Sequence, residues 1–199
     1  VVIIVGTNPS IPLFIGVDGF SLKSLTVSMA AVVPGVPIIS YVSDTSSAET
    51  IFVVDNCGFT NADLVYRQEN TTFGGTCLFR DCIIADNVNN GFEVIATSGV
   101  FCRTVFINFS YINDAAPYIN KMFYGTGTGS EMTITGMLTE QVGGLAGTFG
   151  EIQDGALLRI SNGFISGFTT CISTVAVGAA PELIFLYTDI TNCTNDVNV

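Results

Sequence analysis

Apolar and polar residues alternate along most of this chain, in short runs that end at Gly, Asn or Asp. Val, Ile, Phe and Thr fill these runs, and this composition is typical of β-strands. Residues two apart point to the same side of a strand, so each run has one apolar face. No stretch keeps the longer period of an amphipathic helix. The pattern therefore predicts an all-β protein.

One ten-residue unit recurs along the chain. It reads apolar, any, apolar, two of any type, small or polar, any, an apolar anchor, any, and then usually Asn, Asp or Gly. We take as anchors the apolar residue near the end of each copy, and these lie 25, 23, 58 and 25 residues apart. The anchors are Phe59, Ile84, Ile107, Ile165 and Ile190.

The long interval of 58 residues is predicted to contain one further, blurred copy around Met132–Ile134. The Gly-rich segment Gly143–Gly150 is interpreted as an insertion that stretches this copy. An earlier copy is expected at Phe20–Val27. The repeat length is then about 23–27 residues, which suits a coil of two or three short strands with their turns.

A repeat of this length predicts a solenoid, because stacked coils bury apolar faces that one coil cannot bury alone. The rhythm of the copies from Phe20 to Val199 resembles the right-handed parallel β-helix of pectin-lyase-like proteins. A β-sandwich or jelly roll also contains many short strands, but it need not repeat residue types at a constant interval. We expect a single β-helix domain over residues 1–199, with residues 1–19 as its leading coil, as an excerpt of a longer chain.

The six cysteines give a check on this register. Three pairs of them are separated by about one coil, at intervals of 25, 25 and 22 residues. We interpret them as reduced thiols at inward-facing positions, where a thiol packs as a small apolar group. A disulfide framework remains the alternative. The pairs are Cys57 with Cys82, Cys77 with Cys102, and Cys171 with Cys193.

Composition excludes several functions. The chain has 199 residues, of which 48% are hydrophobic and 12% charged, and its net charge is −11. This charge repels phosphate, so we expect no nucleic-acid partner. There is no His, so the chain by itself cannot form a Ser-His-Asp triad or a His-ligated zinc site. The long uncharged stretches are broken by Pro, Gly and polar residues, so we expect no membrane span, and we expect no metal or cofactor.

The nearest candidate site is a group of charged residues at matching places in three copies. Asp55, Arg80 and Arg103 each lie four residues before an anchor, so we expect them to stack on the outer wall of consecutive coils. One interpretation is a saccharide or anion site, in which Arg binds a carboxylate through two hydrogen bonds. The other interpretation is a surface ladder of ion pairs. Asp81 and Asp86 are close in sequence and complete the candidate set.

The resemblance implies three kinds of function. The first is a structural and receptor-binding component of a phage or virus particle, such as a tailspike, fibre or capsid-associated protein. It would act as a homotrimer beside other virion subunits, on the virion or extracellular surface, with host cell-surface polysaccharide as a possible ligand. The second is a polysaccharide lyase or glycoside hydrolase, although the His and Lys motifs of polygalacturonases are missing from this sequence. The third is a bacterial surface adhesin.

Overall fold

The alternating runs form strands, and the residues that interrupt them form turns. The structure is a computed structural model that describes residues 2–6, 10–17, 19–29, 33–42, 51–70, 72–85, 88–97, 100–113, 119–142, 144–176 and 178–198. Within these ranges there are nineteen strands and no helix. The prediction of an all-β fold is confirmed.

In chain order, the strands are β1 (Val2–Gly6), β2 (Phe14–Gly16), β3 (Ser21–Lys23), β4 (Leu25–Met29), β5 (Pro37–Tyr41), β6 (Ile51–Asp55), β7 (Gly58–Thr60), β8 (Ala62–Asn70), β9 (Gly75–Arg80), β10 (Ile83–Ile84), β11 (Val88–Ala96), β12 (Cys102–Asn113), β13 (Lys121–Thr126), β14 (Ser130–Gln141), β15 (Thr148–Gln153), β16 (Leu157–Ser166), β17 (Thr170–Val175), β18 (Glu182–Thr191) and β19 (Asn195–Asn198).

The strands form two parallel sheets that run the length of the molecule. The first sheet has eleven strands and follows the path β1-β4-β7-β10-β12-β14-β16-β18, with β3, β6 and β9 paired beside it. The second sheet has eight strands in the order β19-β17-β15-β13-β11-β8-β5-β2. Because the chain alternates between the sheets and each strand pairs with those one coil away, the fold is a parallel β-solenoid of about six turns.

A sharp bend divides the first sheet into two arms. The first arm contains β3, β6 and β9, the second contains β4, β7 and β10, and the long strands β12, β14, β16 and β18 cross from one arm to the other. One residue of each coil lies at the bend with a positive φ of 51° to 68°, in the left-handed region. These residues, which we call the bend column, are Ser24, Asn56, Asp81, Asn108, Gly136, Asn162 and Tyr187.

The register confirms most of the predicted anchors and corrects one. Phe59 pairs with Ile84, and Ile165 pairs with Ile190, as expected. However, Ile84 pairs with Tyr111, whereas Ile107 pairs with Arg80 on the other side of the bend. The prediction that Ile107 is an anchor was therefore wrong by four residues.

Both additional copies expected from the repeat are present as strands. Val27 of β4 pairs with Phe59, so the early copy is part of the stack. In the blurred copy, β14 pairs with β12 and β16, and its Thr139 lies between Tyr111 and Ile165. The coil from Thr139 to Ile165 contains the Gly-rich segment and is 26 residues long, close to its neighbours.

Aromatic side chains fill the centre of the solenoid. Phe92 of the second sheet is 1% exposed, and its ring centroid lies 4.6 Å from that of Phe106 and 5.0 Å from that of Phe79, both in the first sheet. The same contacts continue through Phe123, Phe149 and Phe168 at 5.2 Å and 5.5 Å. Edge-to-face and offset pairs of this kind add to the free energy of burial. The two sheets are thus held together by one continuous apolar core.

The cysteines belong to this core. All six are free thiols; five are buried and Cys193 is partly exposed. Cys57 and Cys82 precede the paired residues Gly58 and Ile83, so they occupy the same place in adjacent coils. The prediction of inward-facing reduced thiols therefore agrees with the structure for the buried five. Separately, no described segment forms an apolar helix long enough to cross a bilayer.

Candidate functional site

Side chains of the bend column hydrogen bond to one another in pairs. Nδ2 of Asn56 donates to Oγ of Ser24 at 3.3 Å. Further along the column, Nδ2 of Asn108 donates to Oδ1 of Asp81 at 3.0 Å. Asn and Asp tolerate the left-handed backbone, and stacked amide and carboxylate groups satisfy each other's hydrogen bonds. The bend thus places a row of polar groups at the surface.

A recess with a volume of about 520 Å³ opens beside this row. It lies where β4, β7 and β10 leave the bend. Its polar lining includes Ser24, Thr26, Asn56 and Asp81, and its apolar lining includes Leu25 and Ile83. A concave site with apolar walls and a few polar groups is the usual form of a small-molecule binding site.

Gly58 creates the open space of the recess. It lies in β7 between Thr26 and Ile83 in the register, and its backbone is not in the left-handed region. A Cβ atom there would lie 3.5 Å from Cγ2 of Ile83 and 3.8 Å from Oγ1 of Thr26, which are ordinary contact distances. Neither backbone strain nor crowding requires glycine at this position. Its structural effect is the missing side chain.

Cys57 also lines the recess, but its thiol is not a reactive nucleophile. It is 2% exposed, and Sγ donates to the carbonyl oxygen of Asp55 at 3.4 Å. Burial raises the pKa of the thiol, so the thiolate is disfavoured at neutral pH. The group acts as part of the wall.

The predicted pair of Asp55 and Arg80 lies on the first arm, immediately before the bend. The two residues are neighbours in register, and Nε and one terminal nitrogen of Arg80 donate to the two carboxylate oxygens, each at 2.9 Å. These bonds lower the pKa of Asp55 and raise that of Arg80. Because the fork of Arg80 is already engaged by a carboxylate, the geometry favours the ion-pair interpretation over an anion site.

Arg103 does not stack on Arg80, contrary to the expectation from the sequence. It pairs in register with Thr76 and Glu131, four residues along the strand from the position beside Arg80. The physical reason is the length of the coil, because the coil between Asp81 and Asn108 is 27 residues long and not 23. Asp81 lines the recess, and Asp86 lies outside the described residues.

Arg103 instead belongs to a three-residue group on the first arm. One terminal nitrogen of Arg103 and one of Arg159 each lie 3.4 Å from Oε1 of Glu131. The sequence interpretation missed Glu131 and Arg159. A usable signal existed, because Arg103 lies five residues before Asn108, and Glu131 lies five before Gly136, the next residue of the bend column.

The outer face of the second sheet has its own ion pairs. Arg67 donates to Glu93 at 2.7 Å, and Lys121 to Glu151 at 2.9 Å. The ammonium of Lys121 also lies 5.0 Å from the centre of the Tyr124 ring. Each pair joins neighbouring coils. These contacts satisfy both partners, and we interpret them as structural.

The described residues hold no group of three or more Cys, Asp or Glu side chains arranged to bind a metal ion. The recess beside the bend is therefore the best candidate for a functional site, with Asp81 as its carboxylate. Comparison of the chain with protein families, with characterised proteins and with solved structures finds no match.

Proposed function

We propose that this chain is a structural and receptor-binding β-solenoid of a phage or virus particle, such as a tailspike, a fibre or a capsid-associated protein. The proposal includes the pectin-lyase-like resemblance, the right-handed coil and a location on the virion or extracellular surface. Its partners are further copies of the chain in a homotrimer and other virion subunits. Host cell-surface polysaccharide is the proposed receptor.

The observation that carries this proposal is an apolar stripe on the outer face of the second arm. Ile83, Ile112 and Leu138 are 45%, 44% and 40% exposed. Ile83 and Leu138 lie in one register column with Ser110 between them, and Ile112 lies two residues along the strand from Ser110. Contiguous exposed apolar residues mark protein–protein interfaces. A stripe that runs along the solenoid axis suits subunits packed side by side.

The continuous core supports the same role. Tyr66, Phe92 and Phe123 stack in register through successive coils of the second sheet, and each is buried. Interiors packed at this density resist deformation. The outer faces of such a rod keep fixed positions over its length, as a scaffold that presents binding groups requires.

Light scattering coupled to size exclusion tests the assembly. We expect the chain to elute as a trimer, and Leu138→Glu to convert it to a monomer with the same circular dichroism spectrum. Val175→Glu is the matched control, since Val175 is 39% exposed but lies on the second sheet. A monomeric wild-type chain, or equal effects of both substitutions, would contradict the proposal.

The lyase or hydrolase alternative predicts a different result. A glycosidase uses two carboxyl groups about 5–10 Å apart, and Asp81 is the only carboxylate among the described residues that line the recess. Release of reducing ends or of unsaturated sugars from bacterial surface polysaccharide, abolished by Asp81→Asn, would establish the enzyme in place of the scaffold.

A further inference from the structure

We propose that the recess beside the bend binds one neutral sugar residue of a saccharide chain. The inference deepens the proposed function, because it assigns a position and a ligand class to the receptor-binding part of that proposal. It is carried by three properties of the recess: its volume, its set of hydrogen-bonding groups and the absence of cationic groups from its described lining.

The volume suits a small ligand. A recess of about 520 Å³ lies within the range of about 300–1,000 Å³ that is common for small-molecule sites. The space exists because Gly58 has no side chain between Thr26 and Ile83. Neighbouring coils have a side chain at this register position, for example Ile83 and Ser110. The recess is thus a local feature of one coil and not a general property of the bend.

The polar groups suit hydroxyls. Ser24 and Thr26 have hydroxyl groups that both donate and accept, Asn56 has an amide, and Asp81 has a carboxylate that accepts only. The bond from Asn108 occupies Oδ1 of Asp81, so Oδ2 remains available, with no partner among the described residues. A sugar has several hydroxyls on one ring that each donate and accept, and its C–H groups can contact Leu25 and Ile83.

The charge of the recess selects against acidic sugars. The described residues that line it include no Lys or Arg, and Asp81 repels a carboxylate or sulfate. Arg80 precedes Asp81 in the chain, but its guanidinium is held by Asp55 on the first arm. A single carboxylate also lacks the partners that a calcium ion requires, since calcium takes about six to eight oxygen ligands. A neutral hexose or N-acetylhexosamine residue remains.

Saturation-transfer difference NMR tests the inference with four probes: D-glucose, D-galactose, D-mannose and N-acetyl-D-glucosamine. We expect at least one probe to bind with a Kd of about 1 mM, as suits an open site. Gly58→Val fills the space with a residue favoured in strands and is expected to weaken binding by about tenfold or more. Asp81→Asn keeps a residue that tolerates the bend and is expected to weaken binding similarly.

Ser110→Val is the matched control, because Ser110 lies in the same register column two coils away. It is expected to leave the Kd unchanged, and circular dichroism and light scattering are expected to be the same for all three variants. Absence of binding to all four probes, equal loss in Ser110→Val, or binding of calcium chloride alone that Gly58→Val abolishes would each overturn the inference. A trimer that binds none of the probes would overturn this inference and leave the proposed scaffold intact.

Discussion

Asp55 and Arg80 join two adjacent coils through a pair of 2.9 Å hydrogen bonds at the edge of the bend. The pair lies in a register column that begins with Lys23, whose charge also lowers the pKa of Asp55. Charges of alternating sign on successive coils avoid the repulsion that like charges in one column would cause. The column therefore favours the observed register over a shifted one.

Asp55→Asn is predicted to lower the thermal unfolding temperature slightly at neutral pH and low salt, with a smaller effect at high salt because ions screen a surface pair. The folded pKa of Asp55 is depressed, so its contribution is present above the unfolded value of 3.8 and is lost as the pH falls through the folded pKa. Unfolding temperatures measured from pH 7 downward check this. A difference from wild type that persists at the lowest pH would contradict the assignment.

Buried thiols are predicted to destabilise the protein at alkaline pH. Burial raises the pKa of Cys82 to about 12 and that of Cys102 to about 11, from an ordinary value of 9.0. Groups with a raised folded pKa stabilise the fold fully below pH 9.0, and their contribution is lost as the pH rises through 11 and 12. Urea unfolding midpoints between pH 8 and 11 measure this loss. The variant Cys82→Ala is expected to show a shallower decline.

Thiol labelling is predicted to distinguish Cys193 from the other five cysteines. Cys193 is partly exposed and the rest are buried, so Ellman's reagent is expected to modify one thiol in the native protein and six in denaturant. Cys193→Ser serves as the control and is expected to abolish native labelling. Fewer than six thiols in denaturant without reductant would show that a disulfide forms.

Phe92→Ala is predicted to reduce the free energy of unfolding by about 3–5 kcal/mol, because it leaves a cavity in the aromatic core. Phe101→Ala is the matched control, since Phe101 is 43% exposed, and a change within about 0.5 kcal/mol is expected. Chemical denaturation of both variants gives the comparison. Equal losses would show that the core is not where the structure places it. The rings within 6.5 Å of Phe92 are Tyr66, Phe79, Phe106, Phe109 and Phe123.

Tyr187→Asn is predicted to stabilise the protein by about 1 kcal/mol. Tyr187 has a φ of 51° and its side chain is 90% exposed, so it bears left-handed strain that no burial offsets. Asn occupies the equivalent bend position at Asn56, Asn108 and Asn162. Leu186→Asn is the control, because Leu186 is exposed but lies outside the bend, and no gain is expected there. A loss of stability in Tyr187→Asn would contradict the argument.

The fold was predictable because a solenoid repeats one local pattern. Each apolar anchor needs the anchors of adjacent coils to be buried, so Phe59, Ile84, Ile165 and Ile190 recur at an interval close to the coil length. Ile107 misled the prediction because Phe106 and Phe109 are buried, so the pattern around it also fits an anchor. The bend residues were the better marker, since Asn56, Asp81, Asn108 and Asn162 each lie three residues before the true anchor.

The candidate site was less predictable. The bidentate pair of Asp55 and Arg80 follows from a correct register between two coils, and the sequence indicates it. The recess does not follow from any motif, because it depends on the absence of a side chain at Gly58. A glycine in a strand has several structural causes, and only the contacts around its Cβ position separate an open space from a close approach.

The stacking of each coil directly on the next is the basis of both the fold and the proposed function. Thr135 and Ser161 are register partners whose hydroxyl oxygens lie 3.0 Å apart. The Cα atoms of such neighbours are about 4.8 Å apart, whereas a shift of two residues gives about 8 Å, beyond the limit of about 7 Å for a disulfide. A cysteine pair at these positions therefore reports the register.

The most direct measurement is oxidative cross-linking in a Cys193→Ser background, read by mass spectrometry of peptides. Thr135→Cys combined with Ser161→Cys is expected to form a disulfide rapidly in the native protein. Thr133→Cys combined with Ser161→Cys is two residues out of register, because Thr133 pairs with Arg159, and is expected to stay reduced. Cross-linking of the second pair in preference to the first would contradict the stacked solenoid.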